Sequence, residues 1–235
     1  GLRNIPERIK KLAIVGTACQ IQALKLGGGK ADLDIFTIGV TCSGGMSYKA
    51  TEQYKKLQNM PMSKMFYRGD GWPGKNCLIS SDENRLEYNH LGSTFERMFS
   101  SQIFKNPGCR GCRDHFAEQA EISFCDFWNA EERRTESEGN SCVIIRSKRA
   151  GEYFDKMQGA GFVEVVRSLN ENEVAETQML VLKAKKGTLH NSVRYRMFTQ
   201  IVDYVFKHNL YEKFGIKEYN RFCKVYQKLC ESQKL

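Results

Sequence analysis

The residues of this sequence best suited to chemistry are four cysteines that lie beside turn-forming residues. Cys109 and Cys112 form a C-x-x-C pair directly after the turn residues Pro107 and Gly108. A short turn can direct two such thiolates towards one metal centre. The pair alone fits half of a zinc site, half of an iron–sulfur site or a redox dithiol. His115, the histidine nearest to this pair, is expected to be a surface residue.

Two further cysteines, Cys19 and Cys42, each follow an apolar run that predicts a strand and precede a stretch with helical spacing. In open α/β folds, ligands bind at the carboxyl ends of the strands, where such turns lie. Cys19 and Cys42 can therefore be neighbours in space although they are distant in sequence. Cys19 also opens its predicted helix, where unpaired backbone N–H groups and the helix dipole favour a thiolate.

The other five cysteines lie in different settings. Cys125 and Cys142 fall inside apolar strands, as small core residues do. Cys77 begins a predicted strand, and Cys223 and Cys230 lie on a terminal helix. The four cysteines in loops meet the requirement of a cubane iron–sulfur cluster and also that of a Cys₄ zinc site, although zinc more often uses two close pairs. Spacing alone leaves iron–sulfur, zinc and no metal open.

Two loops carry further candidates for binding. In the loop R-G-D-G-W-P-G, Trp72 could stack on a planar ring and Arg68 could pair with a phosphate. The structural alternative is that Trp72 caps the core while Arg68 stays solvated. Gly139, Asn140 and Ser141 precede a predicted strand and could offer backbone N–H groups to a phosphate, or form a plain turn.

The elements that position these residues follow from apolar periodicity and turn signals. We predict an α/β fold with a mixed sheet flanked by helices and a C-terminal helical segment. Residues 1–186 are expected to form one domain and residues 187–235 a basic helical extension. An exposed loop is expected at 131–138. The predicted strands are 11–15, 33–40, 65–70, 76–81, 85–89, 122–128, 142–146 and 162–166. The predicted helices are 19–26, 47–58, 94–104 and 150–159. Three more helices are predicted from about residue 171 onward, with breaks at Gly187, Asn209 and Gly215.

Composition places the chain among soluble globular proteins. Of its 235 residues, 41% are apolar and 27% are charged, and no apolar run approaches the roughly 20 residues that a membrane span needs. Nine cysteines, an odd number in a chain with a large core, favour a reducing compartment, so we expect a cytoplasmic protein. The first residue is Gly1, and we expect that natural sequence lies upstream.

The net charge of +9 is concentrated near the C terminus. Residues 183–235 contain 12 Lys and Arg against 4 Asp and Glu, which gives +8. Such a segment could meet nucleic acid, an anionic membrane surface or an acidic partner. A solvated helical face explains the same charge equally well.

Five segments, in this order, resemble the C-terminal domain of the β subunit of the coenzyme F420 hydrogenase/dehydrogenase family. They are V-G-T-A-C-Q-I-Q-A-L at 15–24, I-G-V-T-C-S-G at 38–44, F-Y-R-G-D-G-W-P-G at 66–74, C-R-G-C-R-D-H-F-A-E-Q-A-E-I-S-F-C-D-F-W at 109–128 and G-N-S-C-V-I-I-R at 139–146. The resemblance covers roughly residues 11–150, and the tail matches only loosely. The sequence departs from the family at Ala18, where proline is usual, and at Cys125 and Asn129, where glycine is common.

The resemblance implies FAD and a 4Fe-4S cluster held near each other. Electrons would then pass through the flavin between the cluster and a diffusing deazaflavin, coenzyme F420, or another acceptor. It implies that the cluster ligands are Cys19, Cys42, Cys109 and Cys112. It also implies flavin contacts from Gly16, Thr17, Gln20, Ser43, Gly44, Arg68, Trp72, Gly139, Asn140 and Ser141.

Our hypothesis from the sequence is therefore a cytoplasmic oxidoreductase module that depends on a flavin and an iron–sulfur cluster. It would work with a redox partner protein or subunit and a diffusible electron carrier, without nucleic acid and without a membrane span. We nominate no catalytic acid or nucleophile. The alternative is a binding protein, with a Cys₄ zinc or no metal, whose basic helical tail holds nucleic acid or an acidic polymer. A third option is a relative that keeps the fold while its catalytic partner lies elsewhere.

Overall fold

The computed structural model describes residues 5–27, 32–59, 61–135 and 137–233, whose contacts divide the chain into two interleaved units. Unit 1 contains residues 1–43, 112–127 and 140–178, and unit 2 contains residues 44–111, 128–139 and 179–235. Within the described ranges, no helix has both the length and the apolar character that a membrane crossing requires. The domain boundary predicted between residues 186 and 187 remains a proposal.

The described residues form seven strands and ten α-helices, numbered in chain order. The strands are β1 (Lys11–Thr17), β2 (Asp34–Val40), β3 (Met62–Gly69), β4 (Lys75–Ser80), β5 (Arg85–Asn89), β6 (Ile122–Asp126) and β7 (Ser141–Ile145). The helices are α1 (Ala18–Leu26), α2 (Lys49–Gln58), α3 (Thr94–Ser100), α4 (Pro107–Arg110), α5 (Glu132–Thr135), α6 (Lys148–Gly159), α7 (Glu171–Thr177), α8 (Met179–Lys186), α9 (Val193–Lys207) and α10 (Ile216–Glu231). Two 3₁₀ segments, Thr188–Asn191 and Leu210–Lys213, separate the last helices.

Unit 1 is built on a four-stranded mixed sheet with the order β1-β2-β6-β7. Strands β1, β2 and β6 are parallel, and Thr17 at the end of β1 pairs with Val40 at the end of β2. Strand β7 is antiparallel to β6, so its first residue, Ser141, pairs with Asp126. The carboxyl ends of the three parallel strands and the start of β7 therefore lie at one edge of this sheet.

A close approach over Gly39 fixes the segment that precedes β6. A Cβ atom at Gly39 would lie 2.5 Å from the Cβ of Ala117, 2.9 Å from that of Ser123 and 3.0 Å from that of Ala120. Only glycine leaves room for this packing, because real Cβ contacts do not approach so closely. Ala117 and Ala120 belong to a small buried cluster with Ala18 and Ile21 of α1.

Arg149 at the start of α6 ties that helix to the sheet of unit 1. Its Nε donates to the Glu121 carboxylate at 3.0 Å and its Nη2 to the carbonyl of Ile35 at 2.8 Å. Asp34 also accepts a hydrogen bond from this guanidinium, which lies over the Phe36 ring at 5.3 Å. Burial opposes the ionisation of Glu121, but the hydrogen bonds from Arg149 and its neighbours hold the pKa of this carboxyl below its ordinary value.

Unit 2 combines a three-stranded antiparallel sheet, with the order β3-β4-β5, and a largely helical core. Side chains from α2, α3 and α8 to α10 form one buried cluster, with Phe104 and Tyr211 in edge-to-face contact at 4.9 Å. The Tyr219 hydroxyl and the Gln53 amide both donate to the Tyr211 carbonyl, at 3.2 and 3.1 Å. These bonds satisfy polar groups that aromatic packing would otherwise leave buried without a partner.

The predicted fold class is confirmed: the structure has a mixed sheet, helices around it and a helical C-terminal segment. The predicted breaks at Gly187, Asn209 and Gly215 each lie at the start of a helical segment. Four local predictions are wrong. The segment from Glu171 onward contains four α-helices, α7 to α10, where three were predicted. Residues 162–166 form no strand, the predicted loop at 131–138 contains α5, and the helix predicted to reach residue 104 ends at Ser100.

Substitution of Gly39 tests the packing of the 117–120 segment on the sheet of unit 1. Gly39→Ala should lower the free energy of unfolding by about 1–3 kcal/mol, because the added methyl group forces the 117–120 segment away from the sheet. Chemical denaturation measures this loss. Gly159→Ala on α6 is the matched control, since its added Cβ meets nothing within 4 Å, and it should stay within about 0.5 kcal/mol of the parent. Equal stability of the two variants would contradict the packing argument.

The lowered pKa of Glu121 predicts that the free energy of unfolding depends on pH. A carboxyl whose pKa is lowered by folding stabilises the protein above its ordinary value of 4.5, and this contribution is lost as pH falls through the lower folded value. Glu121→Gln should therefore cost about 1–3 kcal/mol at neutral pH, and the difference from the parent should shrink in acid. Thermal unfolding across this pH range measures it. Glu164→Gln, at an exposed position of the same unit, is the control and should change the free energy of unfolding by less than about 0.5 kcal/mol at neutral pH.

Candidate functional site

Exposure divides the nine cysteines into two groups. All nine lie in described residues, and none forms a disulfide. Cys19 is exposed, and Cys42, Cys109 and Cys112 are partly exposed. The remaining five, Cys77, Cys125, Cys142, Cys223 and Cys230, are buried. The four cysteines that the sequence places in loops are therefore the four that keep access to solvent.

Three of the five buried thiols, Cys125, Cys223 and Cys230, have a raised pKa. Burial raises the pKa of Cys223 to about 12 and that of Cys230 to about 11. Cys125 and Cys142 face each other on β6 and β7, where their mutual hydrogen bond and burial raise the pKa of Cys125. The prediction that Cys125 and Cys142 are core residues is confirmed, since they are 4% and 3% exposed.

In unit 1, the strand pairing brings the first two candidate loops to one edge of the sheet. Cys19 follows Thr17 at the end of β1 by two residues, and Cys42 follows Val40 at the end of β2 by two residues. Thr17 and Val40 are paired in register across the parallel strands. The predicted arrangement of two cysteine-bearing turns at neighbouring strand ends is present.

The turn that carries Cys19 is organised by hydrogen bonds within the first turn of α1. The Thr17 N–H donates to Oε1 of Gln20 at 2.9 Å, and the Thr17 hydroxyl donates to the same atom at 3.2 Å. That hydroxyl also lies 3.4 Å from the Sγ of Cys19. Gly16 is buried, and a Cβ there would lie 3.2 Å from the Cβ of Gln20. Gln20 thus caps the helix that presents Cys19.

A buried polar network lies behind the Cys42 loop. The Cys42 N–H donates to the His115 carbonyl at 3.1 Å, and Nδ1 of His115 lies 3.2 Å from the Cys42 carbonyl oxygen. Nε2 of His115 lies 3.0 Å from Oε1 of Gln178, whose amide nitrogen donates to the Asp126 carbonyl at 2.6 Å. His115 is only 2% exposed, so the prediction that it is a surface residue is wrong. Its partner lies 63 residues away, which leaves no local sequence signal.

Cys112 is positioned by the same segment. It lies three residues before His115, which is hydrogen-bonded to the Cys42 loop. The Cys112 thiol donates to the Asp114 carbonyl at 3.3 Å, and the Asp114 carboxylate accepts the Glu118 N–H at 3.0 Å. The turn after the C-x-x-C pair therefore holds its own conformation, and Asp114 acts in it as a cap.

In unit 2, Cys109 lies against the two glycines at 44 and 45. The Gly45 N–H donates to the Sγ of Cys109 at 3.3 Å. Gly44 has φ +135°, and a Cβ there would lie 2.3 Å from Cε of Lys105 and 3.4 Å from Cβ of Cys109. A residue with a side chain would be strained at this positive φ, so the backbone conformation favours glycine at 44, and it lets a backbone donor reach the sulfur.

The loop from Arg68 to Gly74 forms an aromatic cluster with a residue that the sequence analysis did not single out. The rings of Trp72 and Trp128 are 4.5 Å apart and tilted by 44°. The Arg68 guanidinium lies 5.2 Å from the Trp72 ring and 5.4 Å from the Trp128 ring. Both indoles are half-buried and Arg68 is exposed. No pattern in the sequence indicates the Trp128 contact, because it joins residues on distant segments.

Gly139 belongs to the same cluster. Its φ is +77°, and a Cβ there would lie 2.7 Å from Cγ of Trp72. The Trp72 N–H also donates to the Ser137 carbonyl at 2.6 Å, which fixes the segment beside the indole. A side chain at 139 would displace the tryptophan, so the seating of Trp72 accounts for this glycine.

The remaining candidates in unit 1 lie at the same sheet edge as the cysteine turns. Ser141 is exposed at the start of β7, and the Asn140 carbonyl accepts the Phe127 N–H at 3.3 Å. Ser43 is partly exposed directly after Cys42. These side chains are available at the edge where ligands of open α/β sheets bind.

The candidate residues are distributed over both units. Cys109, Gly44, Arg68, Trp72 and Gly139 belong to unit 2, and the other candidates belong to unit 1. Within the described ranges, no group of three or more His, Cys, Asp and Glu side chains is arranged to hold a metal ion. The ligand set of four cysteines remains a proposal.

The model of one protein family, the C terminus of the beta subunit of coenzyme F420 hydrogenase/dehydrogenase, matches residues 9–170. The beta subunit of the coenzyme F420 hydrogenase of Methanococcus voltae is 26% identical over 166 residues, which cover 66% of this chain and 52% of that protein. The chain thus spans about half the length of this curated relative.

A solved structure shows the same fold. It is a xenon derivative of the F420-reducing NiFe hydrogenase complex from Methanosarcina barkeri, and it matches with a TM-score of 0.50. The identity is 20%, and the match covers 77% of this chain and 61% of the other. The family model covers well over half of the sequence, from the first strand to the residue before α7. The chain belongs to the family defined by the C-terminal part of the coenzyme F420 hydrogenase/dehydrogenase beta subunit.

Proposed function

We propose that this chain is an oxidoreductase module that depends on a flavin and an iron–sulfur cluster. It would pass electrons through FAD between a 4Fe-4S cluster and a diffusible two-electron carrier, coenzyme F420 or a similar compound. Family membership supports a redox role. The observation that carries the proposal is the division of the cysteines, since the four proposed ligands keep solvent access while the other five are buried.

The donor set has the chemistry that a cubane cluster needs. Such a cluster takes four thiolates, and none of Cys19, Cys42, Cys109 and Cys112 is used in a disulfide. Hydrogen bonds to the sulfurs tune the cluster potential. The Gly45 N–H would supply one such bond to Cys109, and the Thr17 hydroxyl, which donates to Gln20, lies 3.4 Å from the Sγ of Cys19. His115 would hold the Cys42 loop in place from behind.

The aromatic cluster of unit 2 supports a flavin. When bound, FAD would exchange a hydride with the carrier and single electrons with the cluster. Trp72 and Trp128 leave part of their indole surfaces exposed, which suits contact with a planar ring. The exposed Arg68 guanidinium would pair with a phosphate or another negative group. Gly16, Thr17, Gly44, Gly139 and Asn140 and the side chains of Gln20, Ser43 and Ser141 remain candidates for contact with the rest of the cofactor.

A redox partner belongs to the same proposal. The relatives named above are a hydrogenase subunit and a hydrogenase complex. A chain of this family would act beside another redox protein or subunit in the cytoplasm, with the diffusible carrier as its substrate. Nucleic acid has no role in this scheme.

Anaerobic reconstitution with iron and sulfide tests the cluster. The protein should turn brown, with a broad band near about 400 nm, the region expected of thiolate-bound iron, and should retain about four irons per chain. Replacing Cys19, Cys42, Cys109 or Cys112 by Ser should reduce the retained iron severalfold. Iron analysis and absorption spectroscopy measure both quantities.

The matched control is Cys223→Ala, because this thiol is buried on α10. The variant should retain as much iron as the parent. A colourless parent that instead takes up one zinc per chain, or that retains nucleic acid at low salt, would contradict the proposal. Either result would favour the metal-stabilised or metal-free binding protein with a basic tail.

Tryptophan fluorescence tests the flavin contact. The chain has two tryptophans, Trp72 and Trp128, and both lie in the aromatic cluster. FAD should quench their emission in a saturable manner, and Arg68→Gln should weaken the affinity about tenfold, which corresponds to about 1.4 kcal/mol. Arg85→Gln on β5 is the control, since exposed ion pairs contribute little. Emission that FAD leaves unchanged would count against this site.

A further inference from the structure

Unit 2 contains a cavity that no candidate for the flavin or the cluster lines. Its volume is about 260 Å³, and it lies between the turn at residues 107–111 and helix α9. The family model ends at residue 170, so α9 is outside the matched region. The polar side chains that line the cavity are Arg110, His190, Tyr195, Arg196, Thr199 and Asp203.

Arg110 forms the floor of this cavity as a nearly buried cation. Its side chain is 9% exposed and is ion-paired with Asp203, and its Nη2 donates to the carbonyls of Gln102 and Lys105, both at 3.2 Å. Its Nε is buried and has no hydrogen-bond partner in the described part of the chain. Because this Nε is not exposed to the cavity, Arg110 contributes its positive charge to the lining rather than a hydrogen bond.

Two hydrogen-bond donors on α9, Arg196 and Tyr195, line the cavity. Arg196 is exposed and forms no ion pair with any described side chain, so its planar fork of N–H groups is available to a ligand. Tyr195 is 7% exposed, and burial raises the pKa of its hydroxyl against the opposing influence of Arg110. The hydroxyl therefore stays protonated and can donate a hydrogen bond.

The charges of the lining favour an anion. Two guanidiniums face one carboxylate, Asp203, which is already paired with Arg110. The Thr199 hydroxyl donates to the Arg196 carbonyl at 2.8 Å, so it adds no donor for a ligand. The net charge of +8 over residues 183–235 raises the local positive potential further.

We propose that this cavity binds the phosphate group of a small organic molecule. The Arg196 guanidinium and the Tyr195 hydroxyl provide two donor groups for the terminal oxygens of a phosphate monoester, and the nearly buried Arg110 adds positive charge. The cavity is larger than a phosphate, and the rings of His190 and Tyr195, at 5.4 Å and perpendicular, supply an apolar wall for the rest of the ligand. No residue proposed to hold the flavin or the cluster lines this cavity, although Arg110 and Gly111 lie between Cys109 and Cys112.

Titration with inorganic phosphate tests the site in the full chain without cofactors. Chloride should be adjusted to keep ionic strength constant, because exposed charges are screened by salt. Phosphate should raise the melting temperature in a saturable manner and broaden its own phosphorus resonance. Arg196→Gln should weaken the apparent affinity about tenfold, which corresponds to about 1.4 kcal/mol.

Arg194→Gln is the matched control, because this exposed arginine lies on the same helix but does not line the cavity. It should bind phosphate as the parent does. The proposal is overturned if the parent shows no saturable binding, if Arg196→Gln binds as tightly as the parent, or if the two variants lose affinity equally. Because the cofactor-free chain is measured, a failure of the redox proposal would leave this result unchanged.

Discussion

The close contact between the sheet of unit 1 and the segment at 117–120 is the constraint on which the candidate site depends. It exists because Gly39 has no side chain. With Ala117 seated on β2, His115 reaches the Cys42 loop and forms two hydrogen bonds with it. The segment that carries Cys112 is thereby fixed beside the carboxyl ends of the parallel strands. Packing of a few small residues thus decides where a potential metal ligand lies.

Several glycines near the candidate site have structural explanations of their own. Gly139 is required by the seating of Trp72, and Gly44 is favoured by its positive φ. A glycine in a cofactor loop is often taken to indicate close approach of a ligand to the backbone. In this chain, a neighbouring side chain accounts for Gly139 and the backbone conformation accounts for Gly44. The support for a flavin at these loops comes from the aromatic cluster and from family membership.

Local sequence patterns were sufficient for the elements that carry the cysteines. The apolar runs before Cys19 and Cys42 predicted β1 and β2, and the alternation of strand and helix predicted that both turns lie at one sheet edge. The apolar surroundings of Cys125 and Cys142 correctly predicted burial. Each of these inferences depends on residues within one element, where periodicity reflects the environment directly.

Contacts between distant segments could not be predicted in the same way. The burial of His115 depends on Gln178, and the position of Trp72 depends on Trp128 and Gly139. Residues 162–166 alternate as a strand does, but the edge of the sheet beyond β7 takes no further strand within the described residues. Residues 162–166 therefore have no neighbouring strand in this sheet to pair with. A single sequence does not reveal which strand ends a sheet.

The burial of five thiols has a consequence for the order of events in maturation. An unfolded chain presents nine thiol groups of nearly equal reactivity to any metal or oxidant. A folded chain presents four, because the others are enclosed in strands and helices. Selectivity among chemically identical groups is then created by folding, and a sulfur-seeking reagent that arrives too early would find no means of choosing between them.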